Sequence, residues 1–299
     1  MMPPLLIVGP TSSGKTSLSF FLAKHFKDVD ILVVDSKQVY RDQDIVTGKD
    51  LTEETNARIF GVDIRNPDQN WSISQFIAYA RNVIADAQKE NRLLIIVGGT
   101  PQYVLSLFSQ PESIHTPVNP TLRQYLENLS VEQLQKEVSA DRLARMNASD
   151  RQNPRRLVRA IEIEASPVPS TLEESVLEKS DCVWVGLQIE KEILAKRITG
   201  RVSERVENGA VKEYENIQKK YRRWELEAKA AIGYKEIEQH VRGELSGDEL
   251  IDLWTTHEIQ YAKRQMQWWK REPQIQWFDA TSASLQIDVL GFVKNCYNK

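Results

Sequence analysis

Five short apolar runs interrupt an otherwise polar chain, at 5–8, 31–34, 93–97, 183–188 and 275–278. Each is too short to be a helix of its own and has a β-type composition, so each predicts a strand. Between the first three, helical spacing of apolar residues predicts helices at about 17–26 and 72–90. Alternating β and α elements imply right-handed crossovers and a mainly parallel sheet with both faces covered. The interval 111–180 is different: Pro111, Pro117, Pro120, Pro154, Pro167 and Pro169 punctuate amphipathic, polar helices. Such an interval suits a helical insertion beside the sheet. From about 190 to 270 the pattern is again helical and densely charged, with Gly233 as a break. The expected architecture is α/β, a parallel sheet flanked by helices. Its core comes from 1–110 and 183–299, with a mostly helical insertion over 111–182. No internal repeat or low-complexity tract is present.

The first strand runs directly into GPTSSGKT: Gly9, Pro10, Thr11, Ser12, Ser13, Gly14, Lys15 and Thr16. This matches the G-x-x-x-x-G-K-[ST] phosphate loop in the strand–turn–helix context that the motif requires. Gly9 and Gly14 let the backbone coil so that successive N–H groups face phosphate oxygens. The helix that follows adds its partial positive end to the same anion. Lys15 supplies a mobile point charge, and the Thr16 hydroxyl is a candidate Mg²⁺ ligand. A P-loop NTPase-like sheet that binds a di- or triphosphate is therefore expected.

At 299 residues, with 41% apolar and 27% charged residues, the composition is that of an ordinary soluble protein. No segment approaches the 18 apolar residues of a membrane span, and the start of the chain leaves no room for a signal peptide. Cys182 and Cys296 show neither metal-ligand spacing nor a pairing pattern. A cytoplasmic monomer is the expectation. The net charge of −3 argues against a general nucleic-acid coat, but not against a local basic surface. Basic residues do cluster: Arg151, Arg155, Arg156 and Arg159; Lys196, Arg197, Arg201 and Arg205; and Lys263, Arg264, Lys270 and Arg271. Arg197, Arg201 and Arg205 are spaced i, i+4, i+8 and project from one side of a helix. Like charges stacked in this way call for an anion opposite.

Asp35 ends the second apolar run, in VVDSKQVY, and faces the rim at which open α/β sheets bind ligands. It is placed to act on whatever the bound phosphate carries, or else to cap the turn with Ser36. The third run ends IIVGGT, so Gly98, Gly99 and Thr100 stand where a P-loop ATPase carries an acidic residue. The loop then suits a diphosphate that departs better than a γ-phosphoryl that is transferred.

Taken in order, GPTSSGKT, VDSKQVYRDQDIVTGK, GVDIRNPDQNWSISQF, IIVGGTPQYV, NPRRLVRAIEI, AIGYKEI and QYAKRQMQWWKR resemble the motifs of tRNA dimethylallyltransferases, from residue 5 to about 271. That resemblance implies transfer of a dimethylallyl group from its diphosphate to N6 of adenosine 37 in tRNAs reading UNN codons. It implies Asp35 as the base that orients the amine and takes its proton, Thr11 near the reacting centre, and Arg201 on the diphosphate with support from Arg197. It also implies Mg²⁺ at Thr16. Asp35, Ser36, Lys37 and Gln38 would hold the flipped-out adenosine, since its amine is inaccessible in a stacked loop. Thr100, Arg123, Arg155, Arg156, Arg159, Lys235, Lys263, Arg264 and Gln265 would complete the tRNA contacts. Trp268 or Trp269 would stack on bases or pack in the core. Ala230 and Ala231 stand where some relatives carry arginine and cysteine, and the segment after Ile163 lacks the glycine-lysine-proline turn of many relatives. No zinc-finger tail follows, and the length suits a bacterial enzyme.

Three other activities use parts of this pattern. A small-molecule kinase would need the phosphate loop for ATP, but leaves VGGT and the basic blocks unused. An adenylate prenyltransferase acting on AMP, ADP or ATP would need no second basic surface. A silent nucleotide switch or RNA-binding module would need no carboxylate aimed at the phosphate loop.

Overall fold

A computed structural model describes residues 2–49, 55–109, 116, 118–166 and 175–298. Strands β1 (Leu5–Val8), β2 (Val29–Val33), β3 (Arg58–Phe60), β4 (Leu93–Gly98), β5 (Val183–Gln188) and β6 (Gln276–Asp279) form one sheet in the order β3-β2-β4-β1-β5-β6. Every pairing is parallel. The central strand β1 sets Val8 opposite both Gly98 of β4 and Gly186 of β5, so its carboxyl end is level with its neighbours. The chain leaves β1 toward β2 on one side, whereas from β4 it goes on to β5 on the other. The crevice of a doubly wound sheet opens at that switch point.

The central strands are apolar throughout because helices cover both faces. Leu5, Ile7, Ile31, Val33, Ile95, Val97, Val185 and Leu187 pack with Leu18, Phe20 and Leu22 of α1 (Lys15–Ala23) and Val289 and Val293 of α14 (Leu285–Tyr297). The alternate residues Leu6, Leu32, Leu94 and Ile96 are equally buried, and α2 (Ile73–Lys89) packs on β2 and β4. A capping box between Ser72 and Gln75 starts α2. The short α3 (Pro101–Leu105) follows β4.

The edge strand β3 was not apparent in the sequence. It has only three residues, and ion pairs anchor it: Arg58 meets the fully buried Asp30 of β2 at 2.7 Å, and Arg92 meets the same carboxylate at 2.7 Å.

A second apolar cluster lies among the carboxy-terminal helices α9 (Lys191–Glu207), α10 (Ala210–Lys220), α11 (Leu226–Lys229), α12 (Tyr234–Val241) and α13 (Gly247–Trp269). Ile198, Val202, Tyr214, Ile217, Tyr234, Ile237, Leu250 and Trp254 enclose Val46, which belongs to the loop after β2. That loop is thus held by helices far away in sequence. Gly233, the expected break, caps the start of α12.

The chain divides into two compact units, 1–108 with 176–299, and 109–175. The return to the first unit comes earlier than the expected residue 183. Val176 and Leu177 both donate their N–H to the Leu107 carbonyl, at 2.9 and 3.0 Å. Within the second unit, α4 (Pro120–Leu126), α5 (Val131–Glu137), α6 (Ala140–Arg145), α7 (Ala148–Arg151) and α8 (Pro154–Glu164) surround Leu126, Leu134, Leu157 and Ile161. Asparagine or serine side chains cap the starts of all five helices. Pro111, Pro117, Pro167 and Pro169, and most of the segment after Ile163 in which the family turn is lacking, fall outside the described residues.

Candidate active site

A cavity of about 420 Å³ opens at the carboxyl ends of β1, β2 and β4. Its floor is the phosphate loop. Gly9 has φ +150°, and a Cβ there would stand 2.7 Å from the Leu187 carbonyl, so only glycine lets the loop leave β1 at this angle. The loop is braced from within: the buried Ser13 hydroxyl donates to the Pro10 carbonyl at 2.8 Å, and Lys15 Nζ donates to the same carbonyl at 2.5 Å. Thr11, Ser12, Gly14, Lys15 and Thr16 line the cavity, and Lys15 and Thr16 open α1. Burial, with the neighbouring Arg201 acting in the same direction and Asp35 opposing, lowers the Lys15 ammonium from an ordinary 10.5 to about 7. A cation held at such a cost is poised to gain from an anion brought beside it.

Asp35, two residues beyond β2, lines the same cavity. Its Oδ1 accepts the N–H groups of Lys37 (2.8 Å) and Gln38 (3.3 Å). The turn-capping role and the rim position therefore coexist: the cap fixes the carboxylate at the rim. Ser36 also lines the cavity. Lys37 and Gln38, expected at the adenosine, have their side-chain ends tied to protein. Lys37 Nζ donates to the Glu227 carbonyl at 2.5 Å, and Gln38 Nε2 donates to the carbonyls of Thr47 (3.2 Å) and Gly48 (3.0 Å).

The arginine stripe of α9 separates into three environments. Arg201 lines the cavity and donates to the Gly48 carbonyl at 3.2 Å. Arg205 is buried, meets Glu258 at 3.1 Å and lies 5.8 Å from the Trp254 ring. Arg197 is exposed and reaches the Ala280 carbonyl at 3.3 Å. A protein carboxylate thus answers part of the stacked charge for which an anion was expected.

Helix α13 supplies the opposite wall. Glu258, Tyr261 and Gln265, one turn and then two apart, face the cavity together with Arg264. Gln265 was expected among the RNA contacts, yet it is 2% exposed. Its Oε1 accepts the Thr11 N–H at 2.8 Å, and its Nε2 donates to the Gly99 carbonyl at 2.7 Å. It bridges the phosphate loop and the VGGT loop. Gly99 admits this bridge, because a Cβ there would stand 2.5 Å from Gln265 Nε2. Thr100 meets Tyr261 across the cavity at 3.3 Å. Tyr261 and Glu258 were missed in sequence; the only available signal was their i, i+3, i+7 spacing with Gln265.

Beyond the cavity, Lys263 is exposed on α13 and Lys235 on α12. Trp269 is fully buried and Trp268 is 47% exposed, with the Arg271 guanidinium 5.4 Å from its ring. In the second unit, Arg155 and Arg156 are exposed on α8. Arg123 and Arg159 converge on the Glu162 carboxylate, at 2.8 and 2.9 Å, and the Asn119 N–H also donates to it at 3.1 Å. These contacts hold Glu162 below the usual carboxylate range even though burial opposes it. Among the described residues, no helix is long and apolar enough to cross a membrane.

The family model described as IPP transferase matches residues 38–272. A tRNA dimethylallyltransferase of an Exiguobacterium species is 36% identical, over 99% of this chain and 95% of its own length. One from Anoxybacillus flavithermus is 33% identical over 94% and 91%. The crystal structure of the full-length tRNA isopentenylpyrophosphate transferase of Bacillus halodurans superposes with a TM-score of 0.72 at 28% identity, covering 100% of this chain and 97% of that one.

Proposed function

This chain belongs to the IPP transferase family, and on that footing we propose that it transfers a dimethylallyl group from dimethylallyl diphosphate to N6 of adenosine 37 in tRNA. The observation that carries the proposal is the sharing of one cavity by the phosphate loop, Arg201 and Asp35. An allylic diphosphate ionises readily, so the protein has to stabilise the leaving group and align the nucleophile. The C1–O bond breaks with its electron pair passing to the diphosphate. The backbone of the phosphate loop, Lys15 and Arg201 receive that charge. The N6 lone pair forms the new bond to C1, and the N6 proton passes to Asp35. Asp35 Oδ1 is engaged by two backbone N–H groups, which leaves Oδ2 to face the amine.

Among the described residues no group of three His, Cys, Asp or Glu side chains could cage a metal. The Thr16 hydroxyl, which lines the cavity, is a hard oxygen donor that would hold a Mg²⁺ brought in with the diphosphate. Bound there, it would neutralise part of the leaving-group charge.

The tRNA rather than a free adenylate is the proposed acceptor. The exposed Arg155, Arg156, Lys263 and Arg264 supply basic surface for which a mononucleotide has no use. Exposed Trp268, edged by Arg271, adds a stacking face. Work on tRNA is the ground for proposing a cytoplasmic enzyme, and a monomer would suffice, because one chain provides every group named.

The test is incubation with dimethylallyl diphosphate, Mg²⁺ and an unmodified anticodon stem-loop carrying an A36-A37-A38 run, followed by nucleoside mass analysis. A parallel incubation with AMP separates the two acceptors. Prenylated AMP with an unmodified stem-loop would refute the RNA assignment, and phosphate transfer from ATP without prenylation would favour a kinase.

A further inference from the structure

The loop after β2 is gripped from both sides, and only one side belongs to the cavity. On the outer side stands Glu213 of α10. Its Oε2 accepts the N–H groups of Asp44 (2.8 Å) and Ile45 (2.6 Å), and its Oε1 accepts the N–H of Val46 (3.1 Å) and the hydroxyl of Tyr234 (2.8 Å). Four donors thus converge on one carboxylate. Burial raises its pKa above the usual range, and the backbone donors hold it back.

On the inner side, two residues further on, the Gly48 carbonyl accepts from Gln38 at 3.0 Å and from Arg201 at 3.2 Å. Gly48 has φ +62°, and a Cβ there would stand 2.6 Å from an Arg201 nitrogen and closer still to Arg205. The loop is therefore a thin wedge packed directly against the Arg201 guanidinium, which it helps to place.

We propose that Glu213 is a positioning residue for the prenyl transfer: its carboxylate fixes the 44–48 backbone, and the Gly48 carbonyl in turn aims Arg201 at the departing diphosphate. This rests on the assignment of Arg201 to the diphosphate made above. Glu213 does not line the cavity, so it can act on the diphosphate only through the loop. Glutamine in its place keeps the size but removes the charge, and turns one of the two acceptor atoms into a donor facing backbone N–H.

The experiment is a double-mutant cycle in the full chain, with Glu213→Gln, Arg201→Gln and the pair. It reads the Kd for inorganic diphosphate with Mg²⁺ alongside kcat and KM for prenyl transfer. Glu213→Gln alone should weaken diphosphate binding about tenfold or more, the scale set by sub-ångström misplacement of a binding group. In the Arg201→Gln background the same change should matter less than about twofold, because the group being aimed is gone. Additive effects, or unchanged diphosphate affinity in Glu213→Gln, would overturn the proposal. If Arg201→Gln alone leaves diphosphate affinity intact, the assignment of Arg201 has failed, and the inference goes with it. Should Glu213→Gln not fold, Tyr234→Phe, which removes one of the four donors, should give the same non-additivity at smaller amplitude; additivity there counts equally against it.

Discussion

Gln265 and Thr11 are 254 positions apart, yet the glutamine carbonyl accepts the threonine N–H at 2.8 Å. An N–H of the phosphate loop is thereby assigned to the protein rather than left for a phosphate oxygen. The same amide donates to Gly99, so one buried side chain registers two loops against each other.

Gln265→Ala should cost about 1–3 kcal/mol of stability, because it leaves a part-buried N–H and a buried carbonyl without this partner. It should also weaken diphosphate binding, since the phosphate loop loses the brace that registers it against the VGGT loop. Chemical denaturation together with diphosphate titration would check both. A variant with unaltered diphosphate affinity would show that the loop holds its shape without this brace.

Lys15 gives a pH dependence of definite sign. Its folded-state pKa of about 7 is below the ordinary 10.5, so between those values the unfolded chain holds more of the proton. Stability therefore rises with pH across that window, and the cost is largest at or below pH 7. Lys15→Met should raise the Tm at pH 7 while abolishing turnover, with the gain fading toward pH 10. A flat difference in Tm between the two proteins from pH 6 to 10 would contradict it. Diphosphate binding should take up a proton near pH 8, visible as a buffer-dependent calorimetric heat.

Asp35→Asn is the sharper probe of the base. The amide oxygen can still accept the Lys37 and Gln38 N–H groups, so the turn is retained while the proton acceptor is lost. Turnover should fall about a hundredfold or more with tRNA affinity nearly unchanged. Single-turnover kinetics and a filter-binding assay would measure the two separately. An active Asp35→Asn enzyme would transfer the role elsewhere.

Lys263→Ala combined with Arg264→Ala should weaken tRNA binding and flatten its dependence on salt, by a slope of up to about two if both meet phosphates. An unchanged slope would show that this end of α13 does not face RNA.

What could be read in the sequence depended on how local the cause was. The strands at 5–8 and 183–188 were legible to the residue, because burial on both faces made them continuous apolar runs between turns. β3 was not, since the ion pair of Arg58 with Asp30 sustains it across 28 positions. The phosphate loop and the rim position of Asp35 were legible because adjacent residues set both. The inward ties of Lys37, Gln38 and Gln265 were not, because their partners are carbonyls on Glu227, Gly48 and Gly99, and a carbonyl leaves no signature in sequence. Trp268 and Trp269 illustrate the same limit: neighbours on a helix point about 100° apart, and only packing decides which of them is buried.

The double hydrogen bond from Val176 and Leu177 to the Leu107 carbonyl closes the stem from which the chain departs and to which it returns. The helices between 118 and 164 have an apolar centre of their own. The sheet consequently imposes no length on the insertion. Lineages could lengthen, trim or replace this appendage without disturbing the strand ends that carry the phosphate loop.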